Sequence, residues 1–311
     1  MASWGGNPPG SFVSGSYDGI ARVWKADGSL EFVLGGGHTQ AIKSVACVKG
    51  VLEKGVVSAG KDQVIMLWAL PEKANTQVTP VAACREHTGS VDSVSADPSG
   101  SRFASASWDK TIKLWEVAAP SGTGVQTTGS GKKRKANVSD LSSKLTLEGH
   151  SEAVSSVDWV ESTVIVSGGK DHTIREWDVT NGMCTRVMHH KAVIQGCHTS
   201  RRSGHIATAH GDKNVCVWDP RRDAPGPVTK LVSHKGWVSG VGWAPGSDYL
   251  LASASFDNTV LFWDTRSPKE ALHTLCTHDD KALCVAWNGP GMVVSGGADS
   301  VLRTSMLQSS A

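Results

Sequence analysis

In the segment FASASWDKTIKLW, residues 103–115, apolar and small side chains alternate up to Ser107. A tight turn follows at Trp108-Asp109-Lys110, and a β-branched and apolar stretch then runs to Trp115. Alternation of this length on both sides of a turn predicts two short paired strands. Small residues on the first strand allow a neighbouring sheet to approach closely, while β-branched residues fill the second. A third strand is predicted in the runs SVDSV (90–94) and AVSSVDW (153–159).

The same phrase recurs along the chain: a Ser or Thr, an Asp four residues later, and a Trp six after the Asp. It stands as Ser14–Asp18–Trp24, Ser58–Asp62–Trp68, Ser105–Asp109–Trp115, Ser167–Asp171–Trp177, Thr208–Asp212–Trp218 and Ser253–Asp257–Trp263. A seventh copy has Ser295 and Asp299 but Ser305 in the Trp position. In every copy but the first, a His precedes the Asp by 21 to 24 residues: His38, His87, His150, His190, His234 and His278. Successive Asp residues are 44, 47, 62, 41, 45 and 42 apart. Four short strands repeated at about this interval predict an all-β fold, a seven-bladed propeller whose first repeat is incomplete. The whole chain, 1–311, then forms one domain.

These repeats resemble the WD40 family, through Trp177-Asp178, Trp218-Asp219, Trp263-Asp264, Gly37-His38 and Gly149-His150. The resemblance implies a buried chain in each complete blade, from Trp indole N–H to hydroxyl, hydroxyl to His, and His to the turn Asp. The residue types suit it, because indole only donates, hydroxyl does both, imidazole bridges and carboxylate accepts. A catalytic triad is the competing reading of Ser, His and Asp. It is disfavoured because an active site does not recur in every repeat at fixed spacing.

Composition adds four points. The chain carries 12 Trp against 5 Phe and 2 Tyr, as a repeated structural Trp requires. A net charge of +2 argues against a broad phosphate-binding surface. No apolar run of about 18 residues predicts a membrane helix, and MASWGGNPPG lacks the basic-then-apolar order of a secretory signal. The seven cysteines contain no C-x-x-C pair and several lie in apolar runs such as NVCVW, so reduced buried thiols are expected. No cofactor is implied, and no metal-ligand spacing appears beyond the His189–His190 pair.

Two irregularities stand out. Asp18 has too few residues before it for a whole repeat, and the chain stops near the third strand of copy seven. An N-terminally shortened propeller with an unpaired edge on its last blade is therefore expected. The long 62-residue interval holds an insert, 117–143, rich in Gly, Ser and Thr. It is expected to be a flexible loop between blades three and four. Its Lys132-Lys133-Arg134-Lys135 reads as a nuclear-import patch or a loose RNA contact, with a solvated linker as the alternative.

The residues just before the turn Asp include Tyr17, Lys61, Trp108, Lys170 and Phe256, and Trp237 lies three after His234. Aromatics on exposed turns suit a protein-binding rim, the alternative being shields over the buried chains. Trp159, Trp243 and Trp287 end inner strands and are expected in the core.

A closer resemblance rests on EHTGSVDSVSADPSGSRFASASWDKTIKLW, LEGHSEAVSSVDW, VSHKGWVSGVGWAP, FDNTVLFWDTRSP and HDDKALCVAW, together with the basic loop. These look like the ribosome-biogenesis WD-repeat family that pairs with Pescadillo and the block-of-proliferation protein. The resemblance implies a non-enzymatic nuclear, nucleolar and nucleoplasmic scaffold for the pre-60S particle and ribosomal RNA maturation. It also implies that the propeller meets the partner's own propeller. The family's N-terminal ubiquitin-like domain, which engages a remodelling ATPase, is not found in this sequence. The rival reading is a cullin-type ubiquitin-ligase receptor, on the WD-x-R motifs Trp218–Arg221 and Trp263–Arg266.

Overall fold

The computed structural model describes residues 2–3, 10–49, 52, 54–72, 77–117 and 138–307. Every regular element among them is a strand, and the strands form seven sheets. The first strands of successive sheets lie side by side around a ring, so the fold is a seven-bladed β-propeller, as expected.

Blade three shows why this sequence folds so. Its strands are Val91–Ala96, Arg102–Ser107, Ile112–Glu116 and Leu145–Leu147, paired antiparallel in that order. Alternate side chains face opposite sides of the sheet. Phe103 and Trp115 pack with residues of blade two, while Ala104, Ala106, Ile112 and Leu114 pack with Val154, Val157 and Trp159 of blade four. Both faces are thus buried between neighbours, so the strands carry small or apolar residues on each. Trp159, Trp243 and Trp287 are core residues as expected. Each indole N–H donates to an inner-strand carbonyl of the preceding blade, at Ser95, His198 and Gly242.

Two short segments lengthen blades at the perimeter. Gln77–Val78 pairs in parallel with Leu30–Leu34 of blade one, and Ser139–Asp140 with Ala82–Cys84 of blade two. The second pairing corrects the expected extent of the flexible insert. Its end is held by pairing, by Leu141 packing on the blade-two core and by an Arg85–Asp140 ion pair at 3.2 Å. The Lys132–Lys135 run lies outside the described residues.

Blade seven has three strands, Ala282–Trp287, Met292–Gly297 and Leu302–Met306. Among the described residues no outer strand covers the last of these. The ring closes through side chains instead. Phe12 clusters with Met292 and Val294, and the Asn288 amide donates to the Gly10 carbonyl at 2.7 Å.

Candidate docking face and the buried chains beneath it

The turn between the second and third strands is built alike in each blade. The residue after the Asp has a positive φ even where it is not glycine, as at Gln63, Lys110, Asn258 and Ser300. In these turns its N–H closes on the carbonyl three residues earlier. This is a type I turn followed by a left-handed residue, a common hairpin connection. In every blade but the fifth the Asp carboxylate caps it by accepting from the N–H two residues on, as at Val64, Thr111, Thr259 and Val301.

That carboxylate also ends the buried chain. In blade three, Trp115 Nε1 donates to Ser105 Oγ at 2.9 Å, Ser105 Oγ lies 2.7 Å from His87 Nε2, and His87 Nδ1 lies 2.7 Å from Asp109. Because Asp only accepts, His87 carries its proton on Nδ1, and Ser105, having accepted from Trp115, donates to Nε2. The same chain runs through His38, Ser58, Asp62 and Trp68, through His150, Ser167, Asp171 and Trp177, and through His234, Ser253, Asp257 and Trp263. Blade seven keeps His278, Ser295 and Asp299 without the Trp, and blade one keeps Trp24 and Ser14 without the His. The hydroxyls of Ser58, Ser105, Ser167 and Ser253 are wholly buried, out of reach of a substrate. Burial alone would hinder ionisation of Asp109 and Asp257. Hydrogen bonds from His87 and Thr111, and from His234 and Thr259, outweigh it and hold both carboxyls well below their ordinary range.

Blade five departs from the expected chain. Trp218 does donate to Thr208 Oγ1, at 2.7 Å, but the imidazole on that hydroxyl is His210, not His190. Among the described residues neither carboxylate oxygen of Asp212 meets a hydrogen-bond partner of good geometry. Steric crowding explains the change. Position 210 corresponds to Gly60, Ser107, Gly169, Ser255 and Gly297 in other blades. Glycine or serine at this place leaves the His–Asp contact intact, as in blades three and six with Ser107 and Ser255, so the room there ends at about the size of a serine side chain. An imidazole at this place displaces the His–Asp contact and takes over the hydroxyl. His190 then bonds to Ala192 and stands 3.8 Å from Cys216 Sγ. Burial, and then the charge that His190 could carry, push His210 down to about 3. The signal was present in the sequence, as a bulky residue two positions after the hydroxyl.

Above these chains lies a face of aromatic rings and lysines. Tyr17, Trp108 and Trp237 are each more than half exposed, and Phe256 is 37% exposed. Trp237 stacks on Phe256 at 6.1 Å, and Lys213, Lys235 and Lys281 line the same shallow groove. Lys170 of blade four lies 3.7 Å over the Trp108 ring of blade three, and Lys43 lies 5.3 Å over Tyr17. Lys61 is exposed on its own turn. Sequence reasoning found the aromatics but missed Lys213, Lys235 and Lys281, which come from neighbouring loops, and Lys43, which lies near the start of the strand Ile42–Val48. In the two WD-x-R motifs each arginine closes on its own Asp, Arg221 on Asp219 at 2.8 Å and Arg266 on Asp264 at 2.6 Å.

The WD domain, G-beta repeat model matches residues 78–116, 141–178, 182–219 and 225–264. A ribosome biogenesis protein WDR12 homologue of Nematostella vectensis is 39% identical over 302 residues, covering 93% of this chain and 71% of that protein. The chain belongs to the WDR12 family. Further WDR12 homologues from Drosophila sechellia and Culex quinquefasciatus are 36% and 34% identical, over 94% of this chain and 68% and 69% of their own lengths. The WDR12 likeness extends well beyond the segments that the repeat model matches. Blade two, with its complete His38–Ser58–Asp62–Trp68 chain, lies almost wholly outside those segments.

Proposed function

We propose that this chain is a non-catalytic scaffold in ribosome biogenesis that holds partner proteins on the face formed by the Asp turns. The observation that carries the reading is a set of exposed aromatics on the Asp turns, each beside a lysine: Tyr17 under Lys43, Trp108 under Lys170, and Trp237 stacked on Phe256 in a groove lined by Lys213, Lys235 and Lys281, in a chain of the WDR12 family. Large aromatics in an exposed cluster are the usual anchors of protein interfaces. Flanking ammonium groups favour an acidic surface on the partner and steer its approach. The partners proposed are the block-of-proliferation-type WD-repeat protein and the Pescadillo homologue. The setting is the pre-60S particle during ribosomal RNA maturation, in the nucleolus and nucleoplasm. Import is assigned to Lys132–Lys135, with loose RNA contact as a secondary role.

Co-purification with the block-of-proliferation homologue tests this, comparing the wild-type chain with W108A and F256A. Each variant removes an exposed ring and leaves the buried chains intact, so both are expected to fold. Loss of a central aromatic anchor costs about 2 kcal/mol or more, roughly thirtyfold in affinity. Unchanged binding by two folded variants overturns the assignment of this face.

A further inference from the structure

In the four blades with complete chains, each polar atom of the His–hydroxyl–Asp set has a partner. Blade five leaves donors over. His210 is wholly buried, its Nε2 lies 2.7 Å from Thr208 Oγ1, and its Nδ1 has no hydrogen-bond partner among the described residues. Thr208 accepts from Trp218 and lies 3.3 Å from the Cys216 carbonyl, so it can donate there and accept Nε2–H from His210. The lone pair of His210 then sits on Nδ1. His190 Nδ1 lies 3.1 Å from the Ala192 N–H and 3.4 Å from the Ala192 carbonyl, so an ion on Nε2 requires the ring proton to sit on Nδ1 and point to that carbonyl, while Nε2 faces Cys216 Sγ at 3.8 Å. The His190 and His210 rings are 3.9 Å apart between centroids, and one donor atom from each of His190, His210 and Cys216 lies within 4.8 Å of the other two.

We propose that His190, His210 and Cys216 form a metal site that takes Zn²⁺. Tetrahedral zinc with imidazole and thiolate bonds of about 2.0–2.3 Å places neighbouring donor atoms about 3.5 Å apart; His190 Nε2 and Cys216 Sγ stand at 3.8 Å and all three donors lie within 4.8 Å, so the ion draws the side chains slightly together. Two imidazoles and a thiolate suit zinc and disfavour magnesium or calcium, which prefer oxygen ligands. The outer contacts also fit. Each imidazole has a backbone or hydroxyl partner for its other nitrogen, as metal-bound histidines require. A fourth position falls to water, and Asp212, whose Oδ2 lies 3.7 Å from Lys191 Nζ, is not among the clustered donors. His190 is only half-buried, which opens a path from solvent. Binding replaces the thiol proton of Cys216 with the ion and releases that proton to water.

The test is a Co²⁺ titration of the tag-free chain, followed by Zn²⁺ displacement and metal analysis after dialysis. One equivalent of ion is expected, with a thiolate-to-cobalt charge-transfer band and the visible bands of tetrahedral cobalt, all displaced by zinc. H210S puts in the serine that blades three and six carry at the matching position, Ser107 and Ser255, so it is expected to fold with an ordinary buried chain. It should bind more than about tenfold more weakly, the least that losing even an outer-shell partner costs. C216S should lose the thiolate band. A folded wild-type chain that takes up no stoichiometric ion, or a band that survives in C216S, overturns the site.

Discussion

Asp109 receives the His87 ring, Thr111 through both N–H and hydroxyl, and the Thr88 N–H, whereas Lys110 beside it reaches only exposed groups of blade four. Removing the carboxylate leaves a buried imidazole N–H and a hydroxyl without partners, each worth about 1–3 kcal/mol. D109A should therefore melt well below wild type, while K110A, which loses only surface contacts, should stay within about 1 kcal/mol. Equal melting temperatures would contradict the buried chain. The same carboxylates set an acid limit. Their folded-state affinity for protons is depressed, so the unfolded chain binds protons more strongly, and stability is full above the ordinary carboxyl value of 3.8 and declines as pH falls below it. Urea midpoints should thus drop below about pH 4, and D257N should flatten part of that slope. Asp109, Asp257 and their partners were legible because the hydroxyl, carboxylate and indole of each blade keep fixed spacings across one hairpin.

Each blade is bounded by what lies beside its outer strand. Blades one and two gain a short parallel strand there, and blade seven ends at Leu302–Met306 with no described strand outside it. Unpaired outward N–H groups open more readily than those in a sandwiched strand. Hydrogen exchange should accordingly be more than about tenfold faster at outward amides of Leu302–Met306 than in Ile112–Glu116, which is paired on both sides. Equal protection would show that another segment covers the edge. The strands themselves were visible as apolar runs between turns. The pairing of Ser139–Asp140 with blade two was not, because two residues carry no period and their partner lies more than fifty positions away.

Across the whole molecule, a nearly neutral chain presents a face rich in lysine. Lys43, Lys170, Lys213, Lys235 and Lys281 lie far apart in sequence, yet the ring brings them against the aromatics. That concentration shapes the docking proposal, and net charge alone gave no sign of it. The sequence by itself determined the ring of blades, the buried chains and the exposed aromatics, since each follows from spacing within one repeat and from the bonding each side chain can make. Only the tertiary structure decided which imidazole serves Thr208 and which lysines meet which rings. Those choices depend on volume and proximity between separate segments: His210 fits the hydroxyl only by displacing His190, and a lysine reaches a ring only once two loops are packed side by side.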